Sequence, residues 1–249
     1  MHRFMVDPGD IRGNTINIVG DDLKHLRQVL RLGEGDIVQL FDGSGMEYEA
    51  QLTFVGKMEA HATILESRLS ESEPALRLTL YQGLAKAEKM DLIIQKAVEL
   101  GIYRIVPVMT ERTVVQLDDS DRKKKSERWN RIAKEASKQC RRAFVPQVAQ
   151  PLTLEMALKE IGQDNKAVLL YENEQKKCLK ELMKCYTINK IGVIALFIGP
   201  EGGFSKEEVE RIIRLGVEVA SLGKRILRTE TAAISAISII MYEMGEMQL

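Results

Sequence analysis

Two short stretches near the C-terminus hold the residue types and spacing from which chemistry can be built. The first, Phe197-Ile198-Gly199-Pro200-Glu201-Gly202-Gly203-Phe204-Ser205, leaves an apolar strand, passes three glycines, a proline and a glutamate, and enters a helix. Glycines there let backbone approach a ligand that a Cβ would exclude, and open α/β sheets bind ligands outside the carboxyl ends of their strands. The second, Leu222-Gly223-Lys224-Arg225-Ile226-Leu227-Arg228-Thr229-Glu230-Thr231-Ala232-Ala233, clusters Arg225, Arg228 and Glu230 and offers Thr229 or Thr231 as a helix cap. Two such loops after successive strands point to one shared pocket. Neither fits G-x-G-x-x-G or G-x-x-x-x-G-K-[ST], so neither a dinucleotide fold nor a phosphate-cradling loop is indicated. Arg228 and Glu230 serve equally well as a salt bridge bracing the turn.

The elements that must position these loops follow from periodicity. After residue 73 the pattern alternates: strand 76–81, helix 87–100, strand 104–108, a basic helix 127–143, and strands 167–171 and 193–198. Helix 206–215, strand 217–222 and a final helix 231–244 complete it. Strands such as VIALFI are apolar at successive positions, as in a parallel sheet covered on both faces, so this part is α/β. Met90, Ile93, Ile94, Ala97 and Leu100 form one helix face, with Gly101 as its stop. Ser205 and Glu208 form a capping box. Residues 1–70 read as a small β-rich unit with strands at 14–19, 36–41, 47–55 and 59–65 and one helix at 21–30, economically closed as a barrel. Ser70-Glu71-Ser72-Glu73-Pro74 is the linker, which gives domains at 1–70 and 74–249.

The 249 residues carry 36 Lys+Arg and 36 Asp+Glu, with 45% hydrophobic residues, which excludes disorder and fibrous classes. The zero balance hides a split. Between residues 122 and 142 ten cations face two glutamates, a local +8 against −8 elsewhere. Trp129, Ile132, Ala133, Ala136 and Cys140 form the inward stripe, so most of these cations, Lys123, Lys124, Lys125 and Arg141 among them, face outward. A solvated face is the plain reading of a charge run. The scarcity of acidic partners on the same helix favours polyanion binding instead. Cys140, Cys178 and Cys185 make no disulfide framework or zinc spacing, and no His, Cys or carboxylate cluster points to a metal. With no apolar leader and no apolar run of membrane-spanning length, a cytoplasmic setting without membrane insertion is expected.

GPEGGFS followed by LGKRILRTETAA, with HRFMV, HLRQVLR, KAEKMDLIIQKAVELGI and EASKQCRR-x₃-P upstream, resembles the ribosomal RNA small-subunit methyltransferase E family of the SPOUT superfamily. The resemblance spans nearly the whole chain. It implies a PUA-like β-barrel for RNA recognition, followed by an α/β methyltransferase domain with a C-terminal trefoil knot. The implied protein is a homodimer that binds S-adenosylmethionine in the knot and methylates N3 of a uridine in 16S rRNA, as free rRNA or within the small ribosomal subunit.

Carried to this chain, the cofactor residues are Tyr171, Glu172, Ile198, Gly199, Pro200, Gly203, Leu222, Gly223, Ile226, Leu227, Thr231 and Ala232. Loop backbone would read adenine, and Ile198, Leu222, Ile226 and Leu227 would sandwich it. The ring nitrogen is nucleophilic only after losing its proton, so catalysis needs a proton acceptor, Glu201 or Glu230, and cations for the developing charge, Arg142 and Arg228. Arg3, His25, Arg27 and Arg31 join the basic helix on the RNA side. Two rivals remain open: another SPOUT RNA methyltransferase, acting on a 2′-oxygen or a different base, and a non-catalytic RNA-binding ribosome-assembly factor.

Overall fold

Alternation of buried and exposed side chains builds the first part of the chain. In the computed structural model, which describes residues 2–113, 117–161 and 166–248, it yields β1 (Arg3–Met5), β2 (Ile11–Arg12) and β3 (Thr15–Ile18). Helix α1 (Gly20–Lys24) follows and runs on as a π-helical turn at His25–Val29, before β4 (Ile37–Phe41), β5 (Met46–Val55) and β6 (Ala60–Leu69). The sheet order is β1-β4-β5-β6-β3-β2, antiparallel except for the β1–β4 pair. Its inward side chains, Phe4, Ile16, Ile18, Val38, Leu40 and Leu52, form one core with Leu23 and Leu26 of the helical segment. Register shifts at Glu49/Ala50 and Leu52/Phe54 in β5 add the bend that curls the sheet.

All four strands and the helix read from the sequence are present. The two short additions, β1 and β2, are too brief to show a period.

The remaining elements are β7 (Arg77–Gly83), α2 (Ala87–Glu99), β8 (Arg104–Met109), α3 (Asp119–Cys140), β9 (Gln147–Val148), β10 (Leu152–Thr153) and α4 (Leu154–Glu160). After them come β11 (Lys166–Leu170), α5 (Leu179–Ile188), β12 (Val193–Ile198), α6 (Lys206–Arg214), β13 (Glu218–Ala220) and α7 (Thr229–Glu243). The strands form one parallel sheet ordered β10-β8-β7-β12-β11-β13, with β9 also on β8. In the continuously buried strand β12, Phe197 stacks on Tyr81 of β7 at 4.6 Å. α2 buries Met90, Ile93, Ile94, Ala97 and Val98, and Gly101 stops it at φ 93°. The Ser205–Glu208 capping box forms as expected, and the second Glu208 oxygen also accepts the Glu111 N–H at 2.8 Å.

Several boundaries move. The basic helix is α3, which starts at Asp119 rather than near residue 127 and ends at Cys140 rather than Ala143. Its first two turns carry no apolar stripe, so periodicity overlooks them. Their start is marked instead by Asp118, whose carboxylate accepts the Asp121 N–H at 2.8 Å. The final helix begins at Thr229, two residues before the expected start. Helices α4 and α5 were not read at all, although Leu179, Leu182, Met183 and Tyr186 recur at helical spacing on the buried face of α5.

The chain divides into a unit of Met1–Glu73 with Ser137–Val145 and a unit of Pro74–Ala136 with Pro146–Leu249. The boundary at Glu73 matches the expected linker. Segment Ser137–Val145, which the sequence reading gave to the second domain, belongs to the first unit. Glu73 accounts for this by accepting the backbone N–H groups of Ala143 and Phe144 at 2.9 and 3.0 Å and two N–H groups of Arg142.

Candidate functional site

Three adjacent parallel strands, β12, β11 and β13, end at one cleft of about 400 Å³ in the second unit. Leu170, Tyr171 and Glu172 enter it after β11, Ile198 and Gly199–Gly203 after β12, and Ser221–Gly223 with Arg225–Thr229 after β13, with Lys89 and Ala232 completing the lining. Eleven of the twelve residues expected to hold a cofactor therefore meet here: Tyr171, Glu172, Ile198, Gly199, Pro200, Gly203, Leu222, Gly223, Ile226, Leu227 and Ala232. Thr231 does not line the cleft and is exposed on the first turn of α7. Ile226 is 85% exposed although it lines the cleft, so an apolar side chain stands uncovered at the opening.

The loop after β12 is held by close backbone contacts. Gly203 has φ 68°, and a Cβ there would stand 3.3 Å from a Glu172 carboxylate oxygen. A Cβ on Gly83, at the end of β7, would come within 2.4 Å of Pro200, so only glycine lets Pro200 pack there. The loops after β12 and β13 are joined by a latch that sequence reasoning did not find. Thr229 Oγ1 donates to the Gly199 carbonyl at 2.6 Å and accepts from Gln82 Nε2 at 2.9 Å; Gln82, fully buried, also reaches the Gly83 carbonyl. The expected threonine cap at this helix start is thus replaced by a tie between loops, and Arg228 stands at the N-cap without a side-chain bond.

The charged rim holds Lys89, Glu201, Arg225 and Arg228. Glu201 Oε1 accepts the Lys86 N–H at 3.1 Å and lies 3.3 Å from Lys89 Nζ. Burial pushes its carboxyl up, but bonds from its own N–H and that of Lys86, with the Lys89 ammonium, outweigh burial and hold it below the usual carboxylate value. Glu230 is not a lining residue. Its Oε2 lies 3.6 Å from Lys89 Nζ, is buried and, among the described residues, accepts no hydrogen bond. The expected Arg228–Glu230 brace is not among the ion pairs of the described residues; Glu230 pairs with Lys89 instead.

Arg142 lies in the first unit, 5% exposed, with Nε and Nη2 on Glu73 at 3.0 and 2.8 Å. In that unit Arg3 and Arg141 share a second cleft, of about 240 Å³, with Arg68, Gln39 and Glu47. Arg3 bonds Glu47 through Nη2 at 2.8 Å, lies over the Phe41 ring, and has a buried Nη1 without a hydrogen-bond partner among the described residues. His25 packs edge-on against Phe4, Arg27 donates to the Lys57 carbonyl at 3.2 Å, and Arg31 is exposed at φ 54°.

On α3, Lys123 and Lys124 are exposed, while Lys125 lies 5.9 Å over the Trp129 ring. Acidic partners on the same helix are scarce, as the sequence suggests, but Arg128 pairs with Asp91, Lys138 with Asp22 and Arg142 with Glu73, all from elsewhere in the chain. The local field is therefore smaller than +8.

A parallel sheet with a cleft at its carboxyl edge, preceded by a curled β unit, has the make-up of an RNA methyltransferase. The RNA methyltransferase domain model matches residues 71–241, and the RNA methyltransferase PUA domain model matches residues 18–65. The ribosomal RNA small subunit methyltransferase E of Bacillus subtilis is 35% identical over 92% of this chain and 90% of its own. That of Aquifex aeolicus is 31% identical over 97% of this chain and 99% of its own. A crystal structure of the Neisseria gonorrhoeae enzyme of that name, bound to S-adenosyl methionine, superposes with a TM-score of 0.82 at 32% identity, covering 97% of each chain. This chain belongs to the ribosomal RNA small subunit methyltransferase E family.

Proposed function

We propose that this protein transfers a methyl group from S-adenosylmethionine to N3 of a uridine in 16S rRNA, within the family to which it belongs. The observation that carries the reading is the convergence of both glycine-bearing loops, with Tyr171 and Glu172, on one cleft. The cleft suits the cofactor. Its walls are apolar at Ile198, Leu222 and Leu227, and Gly203 leaves open the space that a side chain would fill. Bound there, S-adenosylmethionine supplies an electrophilic methyl group on a positively charged sulfur.

The protein's residues must then make the ring nitrogen nucleophilic. Glu201 suits proton acceptance better than Glu230, because it lines the cleft while the Glu230 Oε2 is buried beside Lys89. Arg228, exposed on the cleft rim, offers a cation for the developing negative charge. Arg142, engaged by Glu73, is assigned to holding the segment after α3. Arg3, Arg141, His25, Arg27, Arg31 and the exposed lysines of α3 are the proposed RNA contacts, the first two sharing one cleft with Arg68.

The reading includes a homodimer, supported by the uncovered Ile226 at the cleft mouth, and a trefoil knot, supported by the return of the chain after β13 against the loop after β12. A cytoplasmic site of action goes with an rRNA substrate; among the described residues no helix is long and apolar enough to cross a membrane. Mass analysis of nucleosides from 16S rRNA of cells lacking the protein tests the reading. Loss of 3-methyluridine is expected. Its persistence, or loss of a 2′-O-methyl nucleoside instead, overturns it.

A further inference from the structure

We propose that Lys89 is a further catalytic residue, whose ammonium meets the carbonyl oxygen of the target base on which charge gathers as the ring-nitrogen proton leaves. This rests on the function proposed above and adds a residue to it. Lys89 stands on the first turn of α2, and so on a rigid element, whereas Arg225 and Arg228 are exposed on a loop. Its Nζ lies 3.3 Å from Glu201 Oε1 and 3.6 Å from Glu230 Oε2, and its side chain is 31% exposed and lines the cleft. An ammonium has three donors. The two neighbouring glutamates can engage at most two of them, which leaves a third for a ligand in the cleft that Lys89 lines. Glu201 is itself anchored by the Lys86 N–H, so the cation is held from both the loop and the helix side.

The chemistry balances around these groups. The proton on the base nitrogen passes to the Glu201 carboxylate, which lines the cleft. The negative charge left on the base spreads to its carbonyl oxygens, and Lys89 stabilises it there. The nitrogen lone pair forms the new N–CH₃ bond as the S–CH₃ bond breaks and its electron pair returns to sulfur. Methylated base and thioether are then both neutral in the reacting parts, and Glu201 returns its proton to water. A fixed donor aimed at developing charge contributes a factor of about 10² to 10³ in rate.

The test uses the full-length protein, S-adenosylmethionine and small ribosomal subunits lacking the methyl group. Lys89→Ala should lower kcat about 100-fold, with the KM for subunits and the calorimetric Kd for S-adenosylmethionine unchanged. Added ethylammonium should restore part of the rate, which a merely structural lysine would not allow. Lys89→Met, which keeps the aliphatic stem, should show the same loss and serves if the alanine variant does not fold. A kcat within about threefold of wild type overturns the proposal. So does a loss that follows weakened cofactor binding, which would place Lys89 on the cofactor's carboxylate, or a loss without rescue by the amine. Wild-type protein that leaves uridine N3 unmethylated overturns the function reading itself, separately from Lys89.

Discussion

Replacing Thr229 by valine keeps the shape of the side chain and removes only the hydroxyl that ties the loops after β12 and β13. In the wild type that hydroxyl donates to the Gly199 carbonyl at 2.6 Å and accepts from Gln82 Nε2 at 2.9 Å. Without it Gln82 keeps the Gly83 carbonyl at 3.0 Å, but Gly199 is left with the Gln82 amide at 3.4 Å, at the edge of a hydrogen bond. One weakened donor and one nearly orphaned carbonyl beside a 6% exposed side chain should cost about 2 kcal/mol. For a chain of this size that is a fall in melting temperature of about 4 to 8 °C. Whatever part of the energy loosens the Gly199–Gly203 loop also weakens S-adenosylmethionine, by up to about 30-fold in Kd. Thr229→Ser keeps the hydroxyl and should stay near wild type in both. Scanning calorimetry and titration calorimetry read the two effects. A valine variant that melts within about 1 °C of wild type and binds the cofactor equally well would refute the latch.

Four further outcomes are expected. Gly203→Val places a β-branched side chain at φ 68°, with its Cβ 3.3 Å from Glu172; it should abolish calorimetric cofactor binding while RNA affinity in a filter assay is retained, and the reverse pattern would mean the pocket is misplaced. Glu73→Ala leaves the buried Arg142 guanidinium without that partner and should cost about 3 to 5 kcal/mol in a denaturant melt, so an unshifted midpoint counts against the clamp. Replacing Lys123, Lys124 and Lys125 by glutamine should weaken RNA binding and reduce its logarithmic salt slope by about one unit per contacting lysine, and an unchanged slope returns the run to a solvated face. Because the folded Glu201 carboxyl lies below its ordinary 4.5, the unfolded chain takes up that proton first. Its stabilisation is present above 4.5 and lost as the pH falls through the folded value, so Glu201→Gln should flatten the fall in melting temperature between about pH 5 and 3, and an equally steep fall would contradict this.

The parts of the molecule that were legible in the sequence are those whose physics is local. The apolar run of β12 announces a strand covered on both faces, Ser205 and Glu208 announce a helix start, and the glycines after each strand announce close backbone approach. Each signal lies within a few residues of the element it defines. The illegible parts are long-range pairings. Thr229 reads as a cap because it precedes a helix, but its partners are residues 82 and 199. Lys89 reads as one more solvent-facing lysine on an amphipathic helix, and nothing nearby in sequence says that Glu201 and Glu230 will converge on it.

The same distinction governs the basic segment, where counting charges along the helix overstates the field. Asp91, Asp22 and Glu73 reach Arg128, Lys138 and Arg142 from 37, 116 and 69 residues away. Among the described residues, the exposed cations of this segment outside its ion pairs are Lys123, Lys124, Arg131 and Lys134 on α3 and Arg141 just after its end. Arg141 shares a cleft with Arg3, whose buried Nη1 has no hydrogen-bond partner among the described residues. Paired cations have already spent their desolvation cost on a protein carboxylate and gain little from a phosphate. RNA attraction should therefore depend on these few residues, so neutralising Arg128 or Lys138 should change the stability of the fold more than the salt dependence of RNA binding.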